Sequence, residues 1–253
     1  VEGRGNSKIF QLETSVGPVA LKVYPDMHAD TRPRRRTEWS ALNFLQANKL
    51  QTPAPVATDS DLNWSLLEWV VGVSGNQQND SHIYIAADFV RGLNETTKGL
   101  ARSSLFGDAT ESCLTPDLVE QQIDERLKAL KSVGDDDLQQ FLINHLEPKL
   151  ADKVRQAKAA LGGAYSTRLA EEYWTLSPSD FGLHNAIMTP LGDIVFFDFE
   201  YFGWDDPVKL TADFCHHPGM SISVGAQKIW IGQMRKIFGS DPNFTLRLRA
   251  LYP

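Results

Sequence analysis

Three oxygen-bearing side chains in the last third of this chain have types and spacings that could support chemistry. Asp180 follows a loop-like stretch at residues 177–179, Asn185 comes five residues after it, and Asp198 directly follows the apolar run at residues 194–197 (IVFF). Carboxylate and amide oxygens are hard ligands that suit Mg²⁺, and a further carboxylate can orient an attacking hydroxyl. Each residue alone would be an ordinary turn cap. The three together indicate phosphoryl transfer.

A hairpin is predicted to bring these side chains together. Residues 186–188 and 194–197 are apolar, strand-like runs, and residues 189–193 (TPLGD) between them have the composition of a turn. Two of the three polar residues precede the first strand, and the third ends the second strand. We therefore expect all three at the open end of the hairpin.

An ion pair is predicted between two segments near the N-terminus. Residues 7–12 and 18–24 alternate as the strands of a hairpin do, and Lys22 lies in the second strand. Glu38 shares the apolar stripe of a helix predicted over residues 35–48. A carboxylate on an apolar stripe is costly unless it is paired, which makes Lys22 its candidate partner. A solvent-facing lysine is the alternative.

A glycine-bearing stretch precedes the first predicted strand and contains Gly3, Gly5, Asn6 and Ser7. Glycine lets backbone N–H groups approach a phosphate closely, as nucleotide-binding loops do. The stretch is therefore a phosphate loop or, alternatively, a terminal linker.

The remaining patterns predict an α+β protein with a hinge. A proline-punctuated connection at residues 53–58 and a strand at residues 64–71 lead into helical periodicity. The predicted helices cover residues 80–93, 115–132, 136–161 and 164–174. We expect an N-terminal lobe at residues 1–72 and a helical lobe at residues 73–253.

Charge and composition exclude some classes of function. A net charge of -7 argues against a protein that mainly binds nucleic-acid backbone, with residues 32–36 (RPRRR) as a local exception. The two cysteines are far apart, which favours a reducing compartment and hence the cytoplasm. No apolar run approaches the ~20 residues that span a bilayer, so no membrane partner is expected. From the abrupt first and last residues we expect that one or both ends are incomplete.

These motifs resemble the protein-kinase signature set and, in detail, the aminoglycoside phosphotransferase and choline kinase family. The spacing D-x-x-x-x-N from Asp180 to Asn185 resembles the catalytic loop, V-A-L-K ending at Lys22 resembles the nucleotide strand, and DFEYFGWDDP from Asp198 onward resembles the metal strand. The resemblance implies a small N-terminal antiparallel-sheet lobe with one main helix and a larger, mostly helical C-terminal lobe with a catalytic hairpin. It also implies ATP, Mg²⁺ and a small-molecule hydroxyl acceptor.

The resemblance further implies a role for each matched position. Asp180 would be the catalytic base, Asn185 and Asp198 would ligate Mg²⁺, and Asp213 would support the catalytic loop. The nucleotide would be held by Gly3, Gly5, Asn6, Ser7, Ala20, Lys22 and Glu38, with a hinge formed by Glu68, Trp69 and Val70.

One departure bears on activity. The family has His-Gly before the catalytic Asp, whereas this chain has Pro178-Ser179. The family histidine supports the loop by hydrogen bonding, and Ser177, Ser179 or His184 is a candidate substitute. A catalytically silent nucleotide-binding module that acts through partners is therefore the alternative function.

The acceptor is expected next to the metal strand. Glu200, Tyr201, Trp204 and Asp205 could form an acidic and aromatic wall for a cationic or sugar-like acceptor. Alternatively, the aromatic residues lie in the core and Asp206 begins a helix. The run of residues 215–217 (CHH) resembles a metal cluster only superficially, because adjacent histidines seldom chelate one ion.

Overall fold

The N-terminal part of the chain folds as an antiparallel sheet with one helix. The computed structural model describes residues 7–26, 28, 30–75, 80–98 and 106–252. The strands, in the spatial order β1-β2-β4-β3, are β1 (Lys8–Thr14), β2 (Gly17–Val23), β3 (Pro55–Asp59) and β4 (Trp64–Glu68). Helix α1 (Arg34–Ala47) packs against β3 and β4. The predicted hairpin and helix are confirmed, with small shifts at their ends.

Residues 53–58 contain a strand, where the sequence predicts only a connection. Strand β3 begins at Pro55 and pairs antiparallel with β4, with a register shift between Pro55 and Ala57. Proline lacks a backbone N–H and is therefore confined to edge positions, and β3 is an edge strand of the sheet. Strand β4 ends at Glu68 rather than at the predicted residue 71.

The C-terminal part is mostly helical and also contains short strands. Its helices are α2 (Asp80–Thr96), α3 (Pro116–Lys131), α4 (Asp136–Phe141), α5 (Glu147–Leu161), α6 (Pro207–His216), α7 (Val224–Ile237) and α8 (Phe244–Leu251). Its strands are β5 (Val73–Ser74), β6 (Thr175–Ser177), β7 (Ala186–Met188), β8 (Ile194–Phe196) and β9 (Gly203–Asp205). A π-type turn at Leu142–Leu146 joins α4 to α5 within the predicted helix 136–161.

The helix predicted over residues 164–174 is wrong. The chain instead forms two 3₁₀ turns, at Gly162–Ser166 and Glu171–Tyr173, with non-helical residues between them. Gly162 has a φ of 54°, a left-handed conformation that ends α5 at little steric cost. Beyond it, the Leu169 N–H donates to the Leu114 carbonyl over 2.8 Å, so a tertiary hydrogen bond takes the place of a helical one.

The predicted C-terminal hairpin is confirmed. Strands β7 and β8 pair antiparallel, with Ala186 opposite Phe196. Strand β5 adds to the outer side of β7 and brings the chain in from the N-terminal sheet. Strand β6 pairs with β9, which fixes the segment before Asp180 against the segment after Asp198.

An aromatic core holds the loop that begins at Asp180. Phe181 is buried, and its ring centroid lies 5.5 Å from that of Phe89 and 4.8 Å from that of Phe196. Trp230 of α7 contacts the same ring at 6.2 Å. Because Phe181 directly follows Asp180, this packing fixes the start of the loop.

Within the described part of the chain, no helix combines the length and apolarity needed to cross a membrane.

Candidate active site

The loop that carries Asp180 begins with a strained residue. Ser179 has a φ of 64°, a left-handed conformation that non-glycine residues rarely adopt. Its N–H donates to the Ser177 hydroxyl over 3.0 Å, and its own hydroxyl donates to the Tyr201 carbonyl over 3.3 Å. The neighbouring segments therefore hold Ser179 in this conformation, which sets the direction in which Asp180 leaves β6.

Two histidines converge on Asp180. His184 Nε2 lies 3.0 Å and His217 Nε2 lies 2.8 Å from the same carboxylate oxygen, Oδ1. Partial burial alone would raise the pKa of Asp180, but the hydrogen bonds from the two imidazoles outweigh it and hold this pKa well below its usual range. Asp180 is therefore ionised at neutral pH, and it can accept a hydrogen bond from a hydroxyl.

Asn185 connects this loop to the hairpin. Its Nδ2 donates to the Asp180 carbonyl over 2.9 Å and lies 3.2 Å from Asp180 Oδ2. Its backbone carbonyl accepts the Phe197 N–H over 3.0 Å. Asn185 therefore lies across the hairpin from the residue before Asp198, as predicted for the open end of the hairpin.

Asp198 is the second strained residue of the site, with a φ of 69°. Its Oδ1 lies 2.9 Å from Lys22 Nζ, and its side chain is 35% exposed. Neither Asp198 Oδ2 nor Asn185 Oδ1 accepts a hydrogen bond from the residues that the structure describes. Two hard oxygen donors are thus left over at the end of the hairpin, and this donor set fits Mg²⁺.

Lys22 joins the sheet to the rest of the site. Its Nζ lies 2.8 Å from Glu38 Oε2 and 2.9 Å from Glu200 Oε1, in addition to its contact with Asp198. Burial alone would lower the pKa of Lys22, but the three carboxylates, Asp198 foremost, raise it well above its ordinary value. The predicted Lys22–Glu38 ion pair is present, and the lysine is charged.

Glu38 is held by several donors on the buried side of α1. Besides the Lys22 contact, it accepts the Tyr24 hydroxyl over 2.7 Å and the Phe199 N–H over 3.1 Å. Burial raises the pKa of Glu38, against the opposing charge of Lys22. The hydrogen bond from Phe199 connects α1 directly to the segment that carries Asp198.

The phosphate loop predicted from the resemblance lies mostly outside the described residues. Gly3, Gly5 and Asn6 lie outside the described residues. Ser7 is buried, and its hydroxyl donates to Glu200 Oε1 over 2.5 Å.

The predicted adenine-side positions lie on two neighbouring strands and the segment that follows them. Ala20 of β2 is half-buried and pairs with Leu67 of β4. Glu68 is exposed at the end of β4, whereas Trp69 and Val70, which follow it, are half-buried.

The predicted acceptor wall is not formed on the surface. Glu200, Trp204 and Asp205 are 4%, 1% and 1% exposed, respectively. Glu200 is engaged by the Arg34 guanidinium, whose Nη1 lies 2.5 Å from its Oε2, and by Lys22 and Ser7. The sequence shows that these residues follow the metal strand, but not which way their side chains point.

Tyr201 is half-buried, and it both contacts two arginines and lines a cavity. Its ring lies under the guanidinium groups of Arg32 and Arg34, whose Cζ atoms are 5.3 and 5.0 Å from the ring centre. The cation–π contacts expected for an acceptor are therefore made by the protein itself. Tyr201 nevertheless lines a cavity of about 530 Å³ next to Asp180.

That cavity is the best candidate for the acceptor site. It is lined by Glu111, Arg126, Ser179, Asp180, Tyr201, Lys209, Asp213, His216, His217 and Pro218. Its charged groups pair with one another, because Arg126 Nη2 lies 3.3 Å from Glu111 Oε2 and Lys209 Nζ lies 2.5 Å from Asp213 Oδ2. The predicted loop-supporting residue Asp213 thus pairs within α6 and faces the cavity.

Two residues of the site cannot be predicted from the sequence. His217 belongs to a run that resembles a metal cluster only superficially, and Arg34 belongs to a basic run. The D-x-x-x-x-N motif contains no information about a histidine from beyond α6. The pattern of residues 32–36 is also typical of a solvated turn, although Arg34 is 6% exposed in the structure.

Comparison with known proteins identifies the family. The family model described as "Phosphotransferase enzyme family" matches residues 2–216. The chain belongs to the phosphotransferase enzyme family. The family prediction is thus confirmed, and the family is one of phosphotransferase enzymes. No curated protein sequence matches the chain.

Solved structures show the same fold as this phosphotransferase. A choline/ethanolamine kinase family protein from Mesorhizobium loti has a TM-score of 0.61 and 18% identity, over 98% of this chain and 72% of that chain. An aminoglycoside phosphotransferase from Alicyclobacillus acidocaldarius has a TM-score of 0.64 and 15% identity, over 99% and 78%. The streptomycin–ATP–APH(2'')-IIa ternary complex has a TM-score of 0.59 and 16% identity, over 98% and 79%. The two-lobed, protein-kinase-like fold is confirmed.

Proposed function

We propose that this phosphotransferase moves the γ-phosphate of ATP to a hydroxyl group of a small molecule, with Mg²⁺ as the metal. One observation carries the proposal: Lys22 contacts Glu38 of α1 and Asp198 of the hairpin at 2.8 and 2.9 Å. In phosphoryl transfer the nucleotide is positioned by a lysine that contacts its phosphates, by a carboxylate that ligates the metal, and by a helix whose glutamate pairs with the lysine. Relatives of this fold include a complex with ATP.

In this proposal Lys22 positions the nucleotide phosphates from the N-terminal lobe, which we assign to residues 1–72. Glu38 orients Lys22 from α1, and its hydrogen bond from the Phe199 N–H keeps α1 close to the hairpin. The predicted phosphate loop (Gly3, Gly5, Asn6 and Ser7), Ala20 and the hinge at residues 68–70 would complete the nucleotide site.

Asn185 and Asp198 are the residues that would hold Mg²⁺. The metal would neutralise negative charge on the transferred phosphoryl group. The remaining oxygens of these side chains, Asn185 Oδ1 and Asp198 Oδ2, are the hard donors that this role requires.

Asp180 is the proposed catalytic base. Its ionised carboxylate would accept a hydrogen bond from the acceptor hydroxyl and orient the hydroxyl oxygen for attack. The bond between the acceptor oxygen and the γ-phosphorus would form as the bond between the γ-phosphorus and the β,γ-bridging oxygen breaks, so that ADP leaves, and the hydroxyl proton would pass to Asp180. Because neighbouring donors hold the pKa of Asp180 low, its main contribution would be to orient the hydroxyl.

The acceptor is proposed to be a small polar alcohol that is aminoglycoside-, choline- or sugar-like and binds in the 530 Å³ cavity beside Asp180. Two free cysteines, Cys113 and Cys215, accord with the predicted reducing, cytoplasmic environment, where ATP is available. The comparisons do not support the alternative of a catalytically silent module, and the site retains a charged lysine and an ionised carboxylate.

The test is Mg²⁺-dependent release of ADP from ATP against a panel of aminoglycosides, choline-like amines and sugars. We expect turnover on at least one class. Asp180→Asn should lower it by about 10²- to 10⁴-fold while ATP binding persists. Asp193→Asn is the matched control, because Asp193 is exposed in the turn of the same hairpin. ATP binding without turnover on the whole panel would favour the silent module, and absence of ATP binding would contradict the nucleotide site.

A further inference from the structure

Two histidines from separate elements meet at one oxygen of Asp180. His184 belongs to the loop between Asp180 and Asn185, whereas His217 follows the C-terminal end of α6. Their rings stack almost parallel, with centroids 3.7 Å apart and planes 6° apart. Both Nε2 atoms approach Asp180 Oδ1, at 3.0 and 2.8 Å. This convergence is not a consequence of local sequence, because α6 and the loop are distant along the chain.

The hydrogen bonds of His217 determine its tautomer. Its Nδ1 accepts the Gly219 N–H over 3.0 Å. A neutral imidazole has one donor and one acceptor nitrogen, so Nδ1 carries the lone pair and Nε2 carries the proton. His217 Nε2 therefore donates to Asp180 Oδ1.

The same hydrogen bond argues against a metal at this cluster. Asp180, His184 and His217 offer three ligand atoms within 4.8 Å of one another. A metal on His217 Nε2 would need the lone pair there and the proton on Nδ1, where ligating histidines donate to an acceptor. The Gly219 N–H is a donor, so a proton on Nδ1 would oppose it.

The segment after α6 closes over the Asp180 loop at a second point. Met220 Sδ accepts the Leu183 N–H over 3.2 Å, and the Met220 N–H donates to the His217 carbonyl over 3.0 Å. A methyl group added at Gly182 would lie 2.5 Å from the Met220 side chain, so the two segments are in close contact. This packing fixes the position of His217 relative to Asp180.

The two imidazoles make the oxygens of Asp180 unequal. Oδ1 accepts from both histidines, whereas among the described residues Oδ2 accepts only from the Asn185 amide nitrogen, at 3.2 Å. Asp180 is 34% exposed on its side chain and lines the cavity together with His217. Oδ2 therefore has the accepting capacity left for a hydroxyl.

We infer that His184 and His217 are positioning residues that together hold the Asp180 carboxylate with Oδ2 directed to the acceptor hydroxyl. They would replace the support of the histidine that the family has where this chain has Pro178. The inference rests on the proposed function of Asp180 as the residue that orients the acceptor.

The test uses the full chain and compares, at His184 and at His217, a substitution that keeps a hydrogen-bond donor with one that lacks a donor. Gln places an amide nitrogen near the position of the imidazole Nε2, whereas Leu has no donor. We expect His217→Leu and His184→Leu to lower kcat by about 10- to 100-fold, a modest part of the range for positioned acid–base groups, with the KM for ATP unchanged. The corresponding Gln variants should recover most of this loss. His145→Leu is the control, because His145 is exposed on the Leu142–Leu146 turn.

A spectroscopic measurement keeps the inference testable if the Leu variants fail to fold, as judged by circular dichroism. Nitrogen-15 NMR of the wild-type chain should show His217 protonated at Nε2. Protonation at Nδ1 would overturn the inference, as would full activity of both folded Leu variants, or Gln variants as impaired as Leu. One equivalent of Zn²⁺ bound by the wild type but not by His217→Leu would also overturn it in favour of a metal site. Absence of wild-type turnover on every acceptor contradicts the proposed function instead, and the nitrogen spectrum still decides the hydrogen bond.

Discussion

Lys22 Nζ lies 2.9 Å from Asp198 Oδ1, so a single ammonium group connects the N-terminal sheet to the end of the C-terminal hairpin. Glu38 and Glu200 contact the same nitrogen at 2.8 and 2.9 Å. Three carboxylates converge here, and Lys22 lies between them and offsets their mutual repulsion, while Arg34 offsets part of the charge of Glu200. The ion pair therefore stabilises the fold, and it is also part of the proposed nucleotide site.

Replacing Lys22 with Met should destabilise the protein strongly. The substitution leaves Glu38 and Glu200 buried without their shared cation, and removal of one partner from a buried ion pair costs about 3–5 kcal/mol. Urea denaturation measures the free energy of unfolding, and a nucleotide titration measures ATP affinity, which should also fall. Lys8→Met is the matched control, since Lys8 is exposed on the adjacent strand β1. Wild-type stability in Lys22→Met would contradict the convergence of charges.

Ser179→Gly should be tolerated. Ser179 has a φ of 64°, and a left-handed conformation costs a non-glycine residue about 1–2 kcal/mol. Glycine removes this strain but adds about 0.5–1 kcal/mol of unfolded-state entropy and loses the hydrogen bond to the Tyr201 carbonyl. We therefore expect an unfolding free energy within about 1 kcal/mol of wild type, and retained activity.

The contrasting substitution is Ser179→Val, because a β-branched residue is a genuine outlier at positive φ. It should cost about 1–3 kcal/mol and displace Asp180. Lys49 is exposed two residues after the end of α1 and has a φ of 59°. It gives the control for backbone strain away from the site: Lys49→Gly should be neutral or stabilising. Equal stability of the Gly and Val variants at residue 179 would contradict the strain argument.

The sequence is sufficient to predict those parts of the fold that have a local periodic signal. The hairpin β1–β2, helix α1 and the hairpin β7–β8 each have alternating or helical apolar spacing, and they are confirmed. Residues 164–174 also have helical spacing, but the left-handed Gly162 and the tertiary bond from Leu169 override it.

The site is predicted less completely, for physical reasons. The Lys22–Glu38 contact follows from the cost of an unpaired buried carboxylate, which can be argued from local patterns. The direction of Trp204 and Asp205 depends on the pairing of β6 with β9, strands of only three residues each. The direction of Glu200 is set by its contacts with Lys22 and Arg34, which come from the N-terminal part of the chain. His217 reaches Asp180 by packing between distant segments, for which a single sequence carries no signal.

Asp205 should make the stability of the protein depend on pH. Burial raises its pKa to about 7, although its Oδ1 accepts the N–H groups of Cys113 and Asp206 at 2.8 Å each. Oδ2 has no hydrogen-bond partner among the described residues, and the nearest cation, Lys209 Nζ, is 3.8 Å away. A carboxyl whose folded-state pKa is raised contributes stability that is complete below its unfolded pKa and is lost as the pH rises through the folded pKa.

Asp205→Asn should remove this dependence. The amide keeps an oxygen for the two backbone donors and carries no charge. The stability of the variant relative to wild type should therefore increase from pH 4 to pH 8, by at most about 4 kcal/mol. Denaturation of both proteins at several pH values measures this difference, with the exposed Asp193→Asn as the matched substitution. A pH-independent difference, or one that decreases as the pH rises, would contradict the assignment.

Arg247 should be essential for attaching α8 to the rest of the protein. Its Nη2 lies 2.9 Å from Asp206 Oδ1 and its Nη1 lies 2.6 Å from Asp241 Oδ2, and all three side chains are buried. Arg247→Met leaves two buried carboxylates without a cation, so it should lower the free energy of unfolding by about 3–5 kcal/mol. Adding Asp206→Asn should recover part of this loss, whereas Arg249→Met, at an exposed position of α8, should have little effect. Because Asp206 also caps α6 through its bond from the Val208 N–H, a strictly additive double variant would mean that Arg247 and Asp206 act independently.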